Sequence, residues 1–217
     1  MRLAIAFVLS ALSVPAFGGT VTGTVELVAR KGKRMSDASG SVVWIEGGST
    51  RPTPVRATMR MKDKAFVPHL LVIPTGSTVE FPNDDVIFHN VFSVSGDSRF
   101  DLDLYKKPKS ATRIFDRPGV IRVYCNIHPQ MSAILVVRDS AFFARTGVDG
   151  SFVIEGVPAG RYSVGAWHER GSAEVHAEVV VPEAGRARVN LTLDTSRYRE
   201  APHLNKLGES YPSDDRY

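Results

Sequence analysis

Cysteine is almost missing from this chain: Cys125 is the only one in 217 residues. A lone cysteine excludes an internal disulfide framework. Long apolar runs are missing as well. After Met1-Arg2-Leu3 an apolar stretch covers residues 4–14 and ends in the small residues Ala16, Gly18 and Gly19. Roughly a dozen apolar residues are too few to cross a bilayer, which needs about 20. The layout is that of a secretory signal peptide over residues 1–18, cleaved between about Ala16 and Gly19. The expected destination is the periplasm or the exterior, with no membrane span after cleavage. A free thiol in such an oxidising compartment is at risk unless it is buried or holds a metal.

Excess charge of one sign is also scarce. The chain carries 27 Lys and Arg against 23 Asp and Glu, a net +4, too little to imply a nucleic-acid partner. The cluster Lys106, Lys107, Lys109, Arg113 and Arg117 reads either as a solvated loop between strands or as a patch that steers an acidic partner. There is no Ser-His-Asp signature, glycine-rich phosphate loop or His-Glu-x-x-His helix, so no enzymatic class is indicated.

Helical periodicity is the last absence. Short β-branched and aromatic runs bounded by Gly, Pro, Asn and Asp recur instead, and the fold class expected is all-β. Thirteen strands are expected, over residues 21–28, 41–46, 58–61, 70–73, 78–81, 90–94, 111–115, 120–125, 133–138, 151–154, 161–168, 173–181 and 188–193. That exceeds one ordinary sandwich and implies two β-domains. Pro74-Thr75-Gly76, Arg117-Pro118-Gly119, Asp149-Gly150 and Pro158-Ala159-Gly160 supply turn chemistry. Residues 196–217, polar and poor in aliphatics, read as a tail that is disordered or draped on the surface.

The chemistry gathers around the one cysteine. Ile121-Arg122-Val123-Tyr124-Cys125 alternates, placing Ile121, Val123 and Cys125 on one face. Cys125-Asn126-Ile127-His128-Pro129-Gln130-Met131 then brings a thiolate, an imidazole and a thioether into one short loop. A thiolate with two imidazoles and a weak axial thioether suits copper, whereas zinc more often recruits a fourth strong ligand. His89, in Ile87-Phe88-His89-Asn90-Val91, is the candidate second imidazole. Taken singly, each residue has a plainer reading: a buried structural thiol, a loop histidine, a core methionine.

Residues 59–138 resemble the cupredoxins, most closely the plastocyanin-like and amicyanin-like members. The features that carry this are Phe66-Val67-Pro68, Pro74-x-Gly76-x-x-Val79-x-Phe81-x-Asn83, His89-Asn90-Val91 and Cys125-x-x-His128-x-x-Met131, the last similar to the short amicyanin-type loop. The resemblance implies a Greek-key β-sandwich holding one type 1 copper ion. His89, Cys125 and His128 would be equatorial ligands, Met131 the axial one, and Asn90 would stand behind them to hold the ligand loop. Val86, Ile87, Phe88, Phe92 and Ile127 would form an apolar wall that keeps the ion dry. The implied role is a non-enzymatic one-electron carrier between redox partners, such as a c-type cytochrome or a periplasmic dehydrogenase. His69, His168, His176 and His203 form no second cluster, which argues against a multicopper oxidase or a two-copper nitrite reductase. Copper storage or delivery, and a non-redox envelope binding module, stay open as alternatives.

Residues 146–164, with Asp149-Gly150, Phe152, Val157-Pro158-x-Gly160 and Tyr162, resemble the carboxypeptidase regulatory-like family of small transthyretin-like β-sandwiches. The expected organisation is 1–18 signal peptide, 19–54 N-terminal strands, 55–139 copper domain, 140–195 regulatory-like domain and 196–217 tail. Residues 19–54 are either extra strands of the copper domain or the first part of the second sandwich, with the copper domain inserted in it.

Overall fold

A computed structural model describes residues 18–199 and 202–211; the signal peptide expected over residues 1–18 therefore lies almost wholly outside the described residues. The fold is all-β, with strands β1 (Gly19–Val28), β2 (Val42–Glu46), β3 (Arg56–Thr58), β4 (Arg60–Lys62), β5 (Ala65–Val67), β6 (Leu70–Pro74), β7 (Ser77–Pro82), β8 (His89–Ser93), β9 (Phe100–Tyr105), β10 (Ser110–Phe115), β11 (Gly119–Tyr124), β12 (Ser132–Arg138), β13 (Phe143–Arg145), β14 (Ser151–Val157), β15 (Gly160–Trp167), β16 (Val175–Val181) and β17 (Arg186–Asp194). No helix among the described residues is long and apolar enough to cross a membrane.

Strand pairing sorts the chain into an outer frame and an inner domain. In the frame, a sheet ordered β14-β1-β17 faces one ordered β13-β2-β15-β16. The first strand is thus hydrogen-bonded to the last, in parallel, with Thr20 opposite Arg186 and Val28 opposite Asp194. The inner domain packs a sheet ordered β6-β12-β11-β8-β9 against one ordered β10-β7-β3, with the β4–β5 hairpin alongside. The chain enters the inner domain after β2 and leaves it after β12. These two crossings are tied together, because the Ser140 hydroxyl donates to the Ile45 carbonyl at 2.7 Å.

Alternation explains most of this. Along β17, Ala187, Val189, Leu191 and Leu193 are buried while the residues between them face water, as expected of a strand with one covered face. Several strands depart from it, and two of these mark a seam. Val42-Val43-Trp44-Ile45 in β2 and Ala133-Ile134-Leu135-Val136-Val137 in β12 are buried throughout. In β2, Val43 and Ile45 enter the frame core while Val42 and Trp44 point the other way; in β12, Ala133, Leu135 and Val137 enter the inner core and Ile134 and Val136 point out. Those outward residues meet Leu70 and Trp167 in a third, smaller core. A continuous apolar run marks a strand covered on both faces, and here it marks where the two sandwiches join. Polar contacts border that seam: the Arg138 guanidinium lies 3.7 Å over the Trp44 ring and donates to Glu174 at 2.6 Å.

Candidate metal centre

β8 opens on His89 and β11 closes just before Cys125, so two neighbouring strands deliver both residues to one end of the inner domain. The loop from Cys125 to Met131 closes on itself. The Cys125 amide donates to the Met131 carbonyl at 3.2 Å, and the Met131 amide to the His128 carbonyl at 3.0 Å. This turn carries His128 back toward His89.

His89, Cys125 and His128 are buried together, with one donor atom from each lying within 4.8 Å of the others. The Nδ1 atoms of the two imidazoles face each other at 3.0 Å, and Cys125 Sγ lies 3.7 Å from His128 Nδ1. Met131 is fully buried in the same core as Cys125.

The surroundings explain which nitrogen points inward. Asp85 Oδ2 lies 2.7 Å from His89 Nε2. A carboxylate there keeps the proton on Nε2, which leaves the Nδ1 lone pair directed at the cluster. Asp85 is itself held by the amides of Asp63 and Lys64, at 2.8 and 3.0 Å, from the β4–β5 turn. Burial pushes its carboxyl up, but the bonds from His89, Lys64 and Asp63 together outweigh this and hold it below the usual carboxylate range. Asn83 shapes the loop between them, accepting from the Asp85 amide and donating to the carbonyls of Ile87 and Tyr105. Burial raises the Cys125 thiol, an effect opposed by amide bonds from Asn90, Ile127 and His128.

Asn90 works in two directions. Its main-chain N–H reaches Cys125 Sγ at 3.4 Å, whereas its carboxamide donates to Asp101 and to the Asp103 carbonyl on β9. The contact with the ligand loop is therefore made by the backbone, and the side chain fixes the neighbouring strand.

The expected apolar wall is not built as the sequence suggests. Val86 is 83% exposed and Phe88 48% exposed, because the 83–88 loop held by Asn83 and Asp85 turns these two outward, whereas Ile87 is half-buried, Ile127 packs against the inner core and Phe92 is buried. Phe92 packs against Tyr124, with ring centroids 5.8 Å apart. The cover over the ligand loop comes instead from the tail. The Tyr211 hydroxyl donates to the Cys125 carbonyl at 2.7 Å, and the His203 ring stacks on Tyr124 at 4.2 Å. The Lys206 amide donates to Asn126 at 2.8 Å, and its ammonium pairs with Asp101 at 2.5 Å. Residues 202–211 thus form a strap across the loop.

Sequence reading missed Asp85, Tyr211 and His203 in these roles. A signal for the first is its position four residues before a candidate ligand; for the others it is the presence of a histidine and a tyrosine in a polar tail, where aromatic rings usually mark an anchor.

No family model matches the chain, and no curated protein matches it. Among solved structures, it is similar to a copper-containing nitrite reductase from Thermus scotoductus at 30% identity, over 43% of this chain and 24% of that one, with a TM-score of 0.36. It is also similar to a purple cupredoxin from Nitrosopumilus maritimus at 24% identity, over 38% of this chain and 99% of that one, TM-score 0.35. A reduced tryptophan-to-tyrosine mutant of amicyanin is 20% identical over 44% of this chain and 98% of its own, TM-score 0.37. The chain therefore spans about a quarter of the length of the nitrite reductase.

Proposed function

We propose that the protein is an exported one-electron carrier in which His89, Cys125 and His128 would hold one type 1 copper ion, with the Met131 thioether as a weaker fourth donor. The observation that carries the reading is the buried convergence of two imidazole nitrogens and one thiol sulfur from β8 and the loop after β11. The donor set fits copper, because two imidazoles, a thiolate and a weak thioether match its preferences. When bound, copper supplies a one-electron couple. The chain supplies the rest. Asp85 fixes the orientation of His89, the Asn90 amide stabilises the thiolate, and the closed loop under its strap limits ligand movement between oxidation states. Because burial raises the Cys125 thiol, metal uptake releases a proton at Sγ.

Storage or delivery of Cu(I) is the weaker reading. His128 is only 4% exposed, and the strap crosses the loop through which a metal would be handed over. The partners we propose are redox proteins, a c-type cytochrome or a periplasmic dehydrogenase, and the frame is proposed to be a transthyretin-like scaffold. Copper titration of anaerobic apoprotein, followed by oxidation, tests the reading. The expected result is one copper per chain, an intense blue absorption and the narrow copper hyperfine splitting of a thiolate-bound ion. Colourless oxidised protein with a tetragonal copper signal overturns it.

A further inference from the structure

Beyond the shared core of the two sandwiches, their surfaces part and leave a cleft of about 820 Å³. One wall is the outer face of β11 and β12. The second is the turn that follows β15, and the third is the chain leaving β17 together with the start of the strap. Arg122 contributes from the first wall, Arg170 from the second, and Arg197 and Arg199 from the third.

The charge in this cleft is one-sided. Among its lining residues Glu169 is the one carboxylate; it is engaged with His69 at 2.9 Å and also attracts Arg170, so one negative charge stands against four guanidiniums. Among the described residues no carboxylate oxygen lies within ion-pairing distance of any of the four guanidiniums, although five other Lys and Arg side chains do have such partners. Among the described residues Arg199 donates to the carbonyls of Ser196 and Tyr198, and these are neutral acceptors. Four like charges around one concavity repel one another, and the arrangement gains free energy when an anion enters. Guanidinium is also the side chain whose planar fork matches phosphate and carboxylate oxygens in pairs.

We propose that this cleft is a binding site for a small multivalent oxyanion, a compound bearing two or more phosphoryl or carboxylate groups. Its volume lies within the range of small-molecule pockets, roughly 300–1,000 Å³, and its charges sit on three walls, not on one flat face as contact with an acidic protein would require. The site uses residues of both sandwiches and of the segment after β17, so it exists only when frame, inner domain and strap are assembled. It owes nothing to the metal reading, and its ligand need not be redox-active.

The experiment is calorimetric titration of the full-length exported chain, metal-free, in low salt, with sodium pyrophosphate in one arm and citrate in the other. One-to-one saturation in at least one arm is expected, weakened at least about tenfold by Arg122→Gln and by Arg197→Gln. The arm that binds more tightly tells phosphoryl from carboxylate chemistry. Arg56→Gln, on β3 in the other sheet of the inner domain, should bind as the unaltered protein does. Heat melts of the variants check the fold, and Arg170→Glu, a charge reversal at an exposed position, gives a second independent loss. The proposal is overturned by the absence of saturable binding in both arms, or by unaltered affinity in the arginine variants. It is equally overturned if a glutamate-rich peptide binds at least about tenfold more tightly than either small anion, which would make the cleft part of a protein interface.

Discussion

The two cores bury different kinds of atom. The frame core is Val, Leu, Ile and Ala with Phe152 and Tyr162. The inner core adds to its own aliphatic residues Met59, Met61, Met131 and Cys125 and the rings of Phe66, Phe81, Phe100, Tyr105 and Phe115, and His89 and His128 are buried beside it. Aliphatic interdigitation is good at stability and offers no ligand. Thioether, thiol and imidazole groups are soft or titratable, and burying them is worth the desolvation only where they are satisfied by one another, by backbone or by a metal. The comparison therefore separates a part built to hold its shape from a part built to hold something else, and substitutions should sort along the same line.

Cys125→Ser should have the largest effect: complete loss of the blue absorption of copper-loaded protein, with little change in a heat melt followed by circular dichroism of the frame. Retained colour would end the separation at its most specific point. On the other side, Leu193→Ala empties a fully buried site in the frame and should cost about 2–5 kcal/mol in denaturant unfolding, while the absorption spectrum of the loaded folded protein stays the same.

The strap offers a finer cut. Tyr211→Phe removes one hydrogen bond to the Cys125 carbonyl, worth about 0.5–1.5 kcal/mol. In apoprotein the rate of Cys125 alkylation should rise severalfold, and an unchanged rate would mean that the strap does not guard the thiol.

The smallest effect belongs to the seam. The hydrogen bond that His69 donates to Glu169 raises His69 above its ordinary 6.5, and the same bond lowers Glu169 from its ordinary 4.5. A raised histidine stabilises fully below 6.5 and loses that contribution as pH climbs through its folded value; a lowered carboxylate stabilises above 4.5 and loses it as pH falls through its own. The pair therefore contributes most between those two values. With the His69 side chain 53% exposed, solvent screening limits the effect to less than about 1 kcal/mol. His69→Gln should flatten this part of the stability profile in urea melts run from pH 4 to about pH 8.

Much of the architecture was legible because alternation is a local property. The expected strands at residues 21–28, 111–115 and 161–168 match β1, β10 and β15 closely. The expected strand at 58–61 is divided at Met59, because β3 pairs with β7 while β4 turns into the hairpin with β5. β9, Phe100-Asp101-Leu102-Asp103-Leu104-Tyr105, was not expected, since Asp is depleted in strands; here Asp101 accepts from Asn90 and Lys206. β5 and β13, three residues each, are too short to show a period. At the candidate site, spacing alone groups Cys125, His128 and Met131, and donor chemistry points to His89, which the fold brings beside them. Asp85 and the strap were hidden because their contacts join the cluster to a hairpin turn and to a tail, and neither kind of segment announces a long-range partner.

The pairing of β1 with β17 sets an order of events for the chain as it leaves a ribosome. Thr20 cannot find Arg186, nor Val28 find Asp194, until nearly the whole polypeptide has emerged, and contacts so far apart in sequence form slowly. The inner domain closes over a much shorter span, from Arg56 to Arg138, and all of it is available while β17 is still to come. The frame thus assembles around an inner domain that can already be complete, and until it does, the exposed edges of β1 and β2 wait unpaired. In that interval the protein is most open to chaperones, to aggregation and to loading of whatever the inner domain is built to hold.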